Sequence, residues 1–224
     1  MAPRFLPRHG AAVPIRLRQE DPMKPAATTA LVTLAAATLV ATPAGASAFF
    51  FSTGNPDGKI ATTSRPDSSF GFEIETGDDF VLPQATSITG ATFTGLITGS
   101  NPLTSIGQVV AEIYRVFPID SDVARTSGPP TFSTTNVPTR VNSPSDIAFA
   151  DRDSAAGNLH FSTTDLGTFT VANSVQPGGI HPQPGQTTGG NGPLTGEEVE
   201  FNLNFDTPLA LPADHYFFVP QVEV

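Results

Sequence analysis

Glu198 and Glu200 stand two residues apart at the head of a faultless alternation, Val199-Glu200-Phe201-Asn202-Leu203-Asn204-Phe205. Two carboxylates at that spacing on one strand face lie roughly 6.6 Å apart, within the roughly 5 to 9.5 Å that glycoside hydrolysis asks of its acid pair. Any solvated strand face shows the same alternation, so the plain reading of the pair is a wet surface. Asp214-His215 is the best neighbouring acid and imidazole for nucleophilic catalysis. Adjacent strand residues point to opposite faces, however, so the two are expected to work apart. No G-x-S-x-G elbow, H-E-x-x-H helix, phosphate-binding loop or dinucleotide fingerprint occurs.

Asp78-Asp79 stands just before an apolar strand, where adjacent carboxylates and loop carbonyls suit a hard cation. These two residues are the expected Ca²⁺ ligands. Asp151-Arg152-Asp153 with Gly157-Asn158 makes a second acidic loop, which departs from the EF-hand pattern at its fifth and sixth positions. Asp and Asn satisfy backbone donors in ordinary turns, and that is the competing reading of both loops. His181 lies in a Gly/Pro-rich connection, where a scaffold presents ligand contacts, although a solvent-exposed histidine is the simpler reading.

The elements that must position these groups are strands. Phe70 to Glu75 repeats the period of two, and Gln108 to Phe117 (QVVAEIYRVF) is apolar on both faces, the mark of a central strand covered on both sides. Further short β-branched or aromatic runs are Phe80 to Leu82, Ser87 to Ile97, Asp146 to Phe149, Leu159 to Ser162, Thr168 to Ala172 and Tyr216 to Val219. Pro or Gly interrupts nearly every ten residues, which leaves no sustained helical period after Ala48. The expected class is therefore all-β, an antiparallel β-sandwich or jelly roll. Two long connections, Arg125 to Pro144 and Gln176 to Gly196, are rich in Pro and Gly and of a length that is often functional.

Compartment is read from Met23 to Ala48: Lys24, an Ala/Leu/Val/Thr run, a helix-breaking Pro43 and Gly45, then Ala46-Ser47-Ala48. This is the pattern of a signal peptide cleaved after Ala48, too short and too diluted for the about 20 apolar residues of a membrane span. Residues 1–22 read as a mis-annotated N-terminal extension, 23–48 as the signal peptide and 49–224 as one sandwich domain. The portion from Phe49 carries six basic and nineteen acidic residues, a net charge of −13. That balance argues against nucleic acid and anionic membranes as partners. The chain has no cysteine, so packing, with a bound cation as the conceivable addition, must hold the fold. The last stretch, Asp214 to Val224, still alternates where the chain stops, which reads as a domain cut short.

Several phrases resemble uncharacterised bacterial exported proteins of the PEP-CTERM type. They are Gly77-Asp78-Asp79-Phe80-Val81-Leu82 with Ser87 to Leu96, then Val109 to Asp122, Arg125 to Asp146 and Leu211 to Val224. The resemblance implies a cell-surface or exopolysaccharide-matrix location, with a C-terminal Pro-Glu-Pro signal, a spanning helix and a basic tail. None of the three occurs within these 224 residues, in keeping with a truncated end. It implies no activity and no catalytic residues. The expected function is a non-catalytic exported surface or matrix module, binding or structural, with exopolysaccharide or matrix components as partners. The alternative is a secreted carbohydrate-active enzyme using paired carboxylates.

Overall fold

Strict alternation makes one face of each strand dry, and a dry face must find another. The structure, a computed structural model, shows the result and describes residues 16–18, 49–67, 73–99, 101–122, 142–176 and 189–224. The run Met23 to Ala48, His181 and most of the two Pro-rich connections lie outside the described residues. Among the described residues ten strands are present: β1 (Arg16–Arg18), β2 (Ile60–Thr62), β3 (Asp78–Leu82), β4 (Thr86–Ile97), β5 (Gln108–Arg115), β6 (Ala150–Asp153), β7 (Leu159–Val171), β8 (Asn173–Val175), β9 (Leu194–Leu211) and β10 (Asp214–Glu223).

Two four-stranded antiparallel sheets face each other, the first in the order β1-β4-β9-β7 and the second in the order β3-β10-β5-β6. The chain is an all-β sandwich. Among the described residues the one departure from antiparallel pairing is the small parallel ribbon of β2 with β8. β1 pairs with Gly90 to Thr92 of β4, so residues within the presumed extension form the outer strand of the first sheet.

The alternation in β9 points Val199, Phe201, Leu203, Phe205, Leu209 and Leu211 inward, all buried. From the second sheet, Phe80, Val109, Ile113, Tyr216 and Phe218 meet them. Each such side chain stabilises the fold by about 1.5–3 kcal/mol through burial. Phe93 and Phe201, directly paired across β4 and β9, stack with ring centroids 4.6 Å apart. Tyr216 donates its hydroxyl to the Pro212 carbonyl at 3.0 Å, which lets a phenol sit in the core without an orphaned donor. The β4–β9 register shifts between Ile88 and Gly90, and a Cβ at Gly90 would run into the Leu203 carbonyl, so only glycine fits there.

Four expected elements come out differently. Leu159 to Ser162 and Thr168 to Ala172 are two ends of one strand, β7, because a bulge between Asp165 and Gly167 carries the ladder through the polar middle. Asp146 to Phe149 is not a strand; Asp146 sits in a bend, its amide donating to Ser121 Oγ and its carboxylate accepting the Asp122 amide, and pairing resumes at Ala150. Of Phe70 to Glu75, only Glu73 to Glu75 is described, and it contributes a single bridge from Ile74 to Arg65. Among the described residues no helix is long and apolar enough to cross a membrane.

Candidate functional site

The outer faces of the two sheets differ. On the second sheet, the outward residues of β5 and β10 include Tyr114, Phe217 and Val219, which form a second apolar cluster with Val116 and Ala148. A strap of residues 73–77 covers part of this face. Ile74 bridges to Arg65, the Thr76 hydroxyl donates to the Thr63 carbonyl at 2.9 Å, and the Thr76 amide donates to Ser64 Oγ at 3.2 Å. Gly77 lets the strap descend, since a Cβ there would lie 2.8 Å from the Val219 side chain.

The strap brings two carboxylates to a third. Glu73, Glu75 and Glu112 can each place an oxygen within 4.8 Å of the others. Tyr114 Oη is 2.5 Å from Glu75 Oε1 and 2.9 Å from Glu112 Oε2. A phenol has one proton, so it donates to one carboxylate, and the other contact is a full hydrogen bond only if that carboxyl is protonated. Gln221, on the same outward row of β10, donates its side-chain amide to Glu73. Only 1 % of Gln221 is exposed, and its carbonyl oxygen Oε1 has no hydrogen-bond partner.

The electrostatics follow from this crowding. Burial pushes the Glu112 carboxyl up to about 7, against the pull of the Tyr114 hydrogen bond and with further push from Glu73, Glu75 and Asp151. Glu75 is raised first by burial of its carboxyl end, although the residue as a whole stands at the surface, and then by Glu73. Tyr114 is raised as well, by burial and by the carboxylates it touches.

The groups singled out from sequence are distributed elsewhere. Asp78 and Asp79 are the first two residues of β3 rather than a preceding loop, and successive strand residues face opposite sides, so their carboxylates do not converge. Asp78 accepts the Asp79 amide at 3.0 Å, and burial raises its carboxyl. Asp79 Oδ2 is 2.6 Å from His215 Nε2. The acid that meets His215 is thus Asp79, diagonal to it across the β3–β10 ladder, and not its neighbour Asp214, whose Oδ1 accepts the His215 backbone amide at 2.9 Å.

Glu198 and Glu200 lie on the outer face of the first sheet. Asn202 donates to Glu200 at 3.1 Å and accepts from Thr92 at 3.0 Å, a ladder of side-chain bonds along a half-wet surface. Asp153 accepts from Ala155 and from Gln108 Nε2, while Asn158 accepts the Asp153 amide, so the second acidic loop is a turn fastened by its own side chains. Arg152 donates to the carbonyls of Thr207 and Pro208, which ties β6 to the first sheet. His160 pairs at 3.2 Å with Asp206 in the open.

A cavity of about 260 Å³ opens between the sheets near the end of β4. Phe93 and Phe201 line it, together with Thr62, Ser64, Arg65 and Asn101. Thr62 Oγ1 is buried and has no hydrogen-bond partner. Among the described residues the lining includes no Asp, Glu or His side chain.

Sequence reasoning passed over Glu112, yet a signal was there. A carboxylate inside QVVAEIYRVF, a strand expected to be covered on both faces, is a buried charge by implication. Its partners were not legible, since the strap meets the strand only through the tertiary fold. Comparison with protein-family models, with curated proteins and with solved structures finds no match to this chain.

Proposed function

We propose that this chain is a non-catalytic exported module of the cell surface or extracellular matrix, and that its sandwich binds a neutral component such as exopolysaccharide. The observation that carries the reading is the inter-sheet cavity, lined by Phe93 and Phe201, by the hydroxyl-bearing Thr62, Thr63, Ser64 and Thr76, by Asn101 and by Arg65, with no Asp, Glu or His among its described lining residues. Rings and hydroxyls of this kind suit the apolar faces and hydroxyl edges of sugars. The signal-peptide pattern of Met23 to Ala48 and the PEP-CTERM resemblance support the same compartment.

The second reading, a carbohydrate-active enzyme, moves from Glu198 and Glu200 to Glu75 and Glu112. Their carboxylates approach closely, and Glu112 is raised to about 7 as a general acid requires. One experiment separates the two. The purified protein is incubated with neutral bacterial exopolysaccharide, and both retention and new reducing ends are measured. Retention without new reducing ends, weakened roughly tenfold by Asn101→Ala, supports binding. Reducing ends that appear with the wild type and vanish with Glu112→Gln establish the enzyme instead.

A further inference from the structure

Three carboxylates drawn together on a partly covered sheet face repel one another, and the charges acting on Glu112 from Glu73, Glu75 and Asp151 are all negative. Such a cluster is common at protein surfaces and by itself indicates no ligand. The neighbouring Gln221 is what sets this one apart. Its side chain is enclosed, one end of its amide touches Glu73, and the other end, Oε1, is an acceptor without a donor. A buried carbonyl left without a partner is rare in folded proteins, and one beside carboxylates asks for positive charge.

We propose that Glu73, Glu75 and Glu112, together with the Gln221 side-chain carbonyl, bind a Ca²⁺ ion on the outer face of the second sheet. The elements hold these groups in place independently of one another. Glu112 and Tyr114 project from β5, Gln221 projects from β10 one outward step beyond Val219, which pairs with Glu112, and the strap supplies Glu73 and Glu75. Ca²⁺ takes oxygen ligands at about 2.3–2.6 Å, so ligands on opposite sides of the ion stand up to about 5 Å apart. The oxygens of Glu73, Glu75 and Glu112, within 4.8 Å of one another, meet that span without movement of the strands. Mg²⁺ demands about 2.0–2.1 Å and near-octahedral geometry, which this flexible mix of carboxylate, amide and phenol oxygens serves less well. The ion would pin the strap to β5 and β10 in a domain that has no disulfide.

The site is distinct from Asp78 and Asp79, and its test is built on that distinction. The purified protein, freed of metal by chelator, is titrated with Ca²⁺ or Mg²⁺ while its melting midpoint is followed. A hundredfold excess of Ca²⁺ over its dissociation constant is expected to raise the midpoint by roughly 5–10 °C, and Mg²⁺ by less. Glu73→Gln and Glu75→Gln, both on surface positions that tolerate exchange, are expected to weaken Ca²⁺ binding roughly tenfold or more, and Asp79→Asn to leave it unchanged. Tb³⁺ offers a second readout, because its emission is sensitised by a nearby tyrosine and should disappear in Tyr114→Phe. A midpoint unmoved by Ca²⁺, an equal shift in the wild type and Glu75→Gln, or a shift abolished by Asp79→Asn alone would overturn the proposal.

Discussion

The outer faces of the two sheets carry polar groups to opposite effect. On the first sheet, Glu198, Glu200 and Asn202 alternate with core residues, and Asn202 donates to Glu200 along a surface reached by water. On the second, Glu112 stands beside Tyr114 and across from Val219, under a strap that adds Glu73 and Glu75. A carboxylate on the first face keeps its hydration, whereas Glu112 loses much of it and rises to about 7. Alternation in the sequence records which side of a strand is outward. Whether outward means wet is decided by what the rest of the chain lays over it.

The largest expected effect that sharpens this contrast is on packing. Phe217, outward on the second sheet and 8 % exposed, should cost about 3 kcal/mol when replaced by alanine, while Thr164→Ala on the outward side of the first sheet should stay within about 0.5 kcal/mol. Urea denaturation of both variants checks the pair, and equal costs would break the comparison. Next comes the strap. Gly77→Ala places a methyl 2.8 Å from Val219, and a loss of roughly 1–3 kcal/mol is expected in the same assay.

The third effect is one of pH, with a definite sign. Glu112 binds its proton more tightly folded than unfolded, so between about 4.5 and about 7 the folded state holds the extra proton and stability falls as pH rises. In chelator, Glu112→Gln should therefore stabilise the protein at pH 8 by about 1–2 kcal/mol, allowing for solvent screening, and by nothing measurable near pH 4. The smallest effect belongs to the half-exposed Asp79–His215 pair, where Asp79→Asn should cost less than about 1 kcal/mol at pH 6 by thermal melting.

The class of fold was legible because β9, β4 and β5 announce their period directly in Val199 to Phe205, Ser87 to Ile97 and Gln108 to Phe117. Boundaries were less so: the bulge at Asp165 and Gly167 joins two short runs into one strand, and side-chain bonds around Asp146 unmake another. The site was hardly legible. Asp78 and Asp79 are adjacent in sequence and part company on the strand, while Asp79 and His215 are 136 residues apart and meet through pairing. Glu73, Glu75 and Glu112 converge for the same reason, since the strap reaches β5 only after β10 has been laid between β3 and β5. Local pattern encodes the face of a residue, and the order of strands encodes its company.

The difference between the two faces rests on Glu112, and its own titration tests it most directly. Carboxyl carbons of labelled glutamate can be followed by NMR in chelator from pH 3 to pH 9, with the Glu112 signal assigned by its loss in Glu112→Gln. A midpoint near 7 is the result expected of a carboxyl enclosed by Tyr114, Glu73 and Glu75. A midpoint at the ordinary glutamate value of 4.5 would show that face to be as wet as the other and would contradict the account.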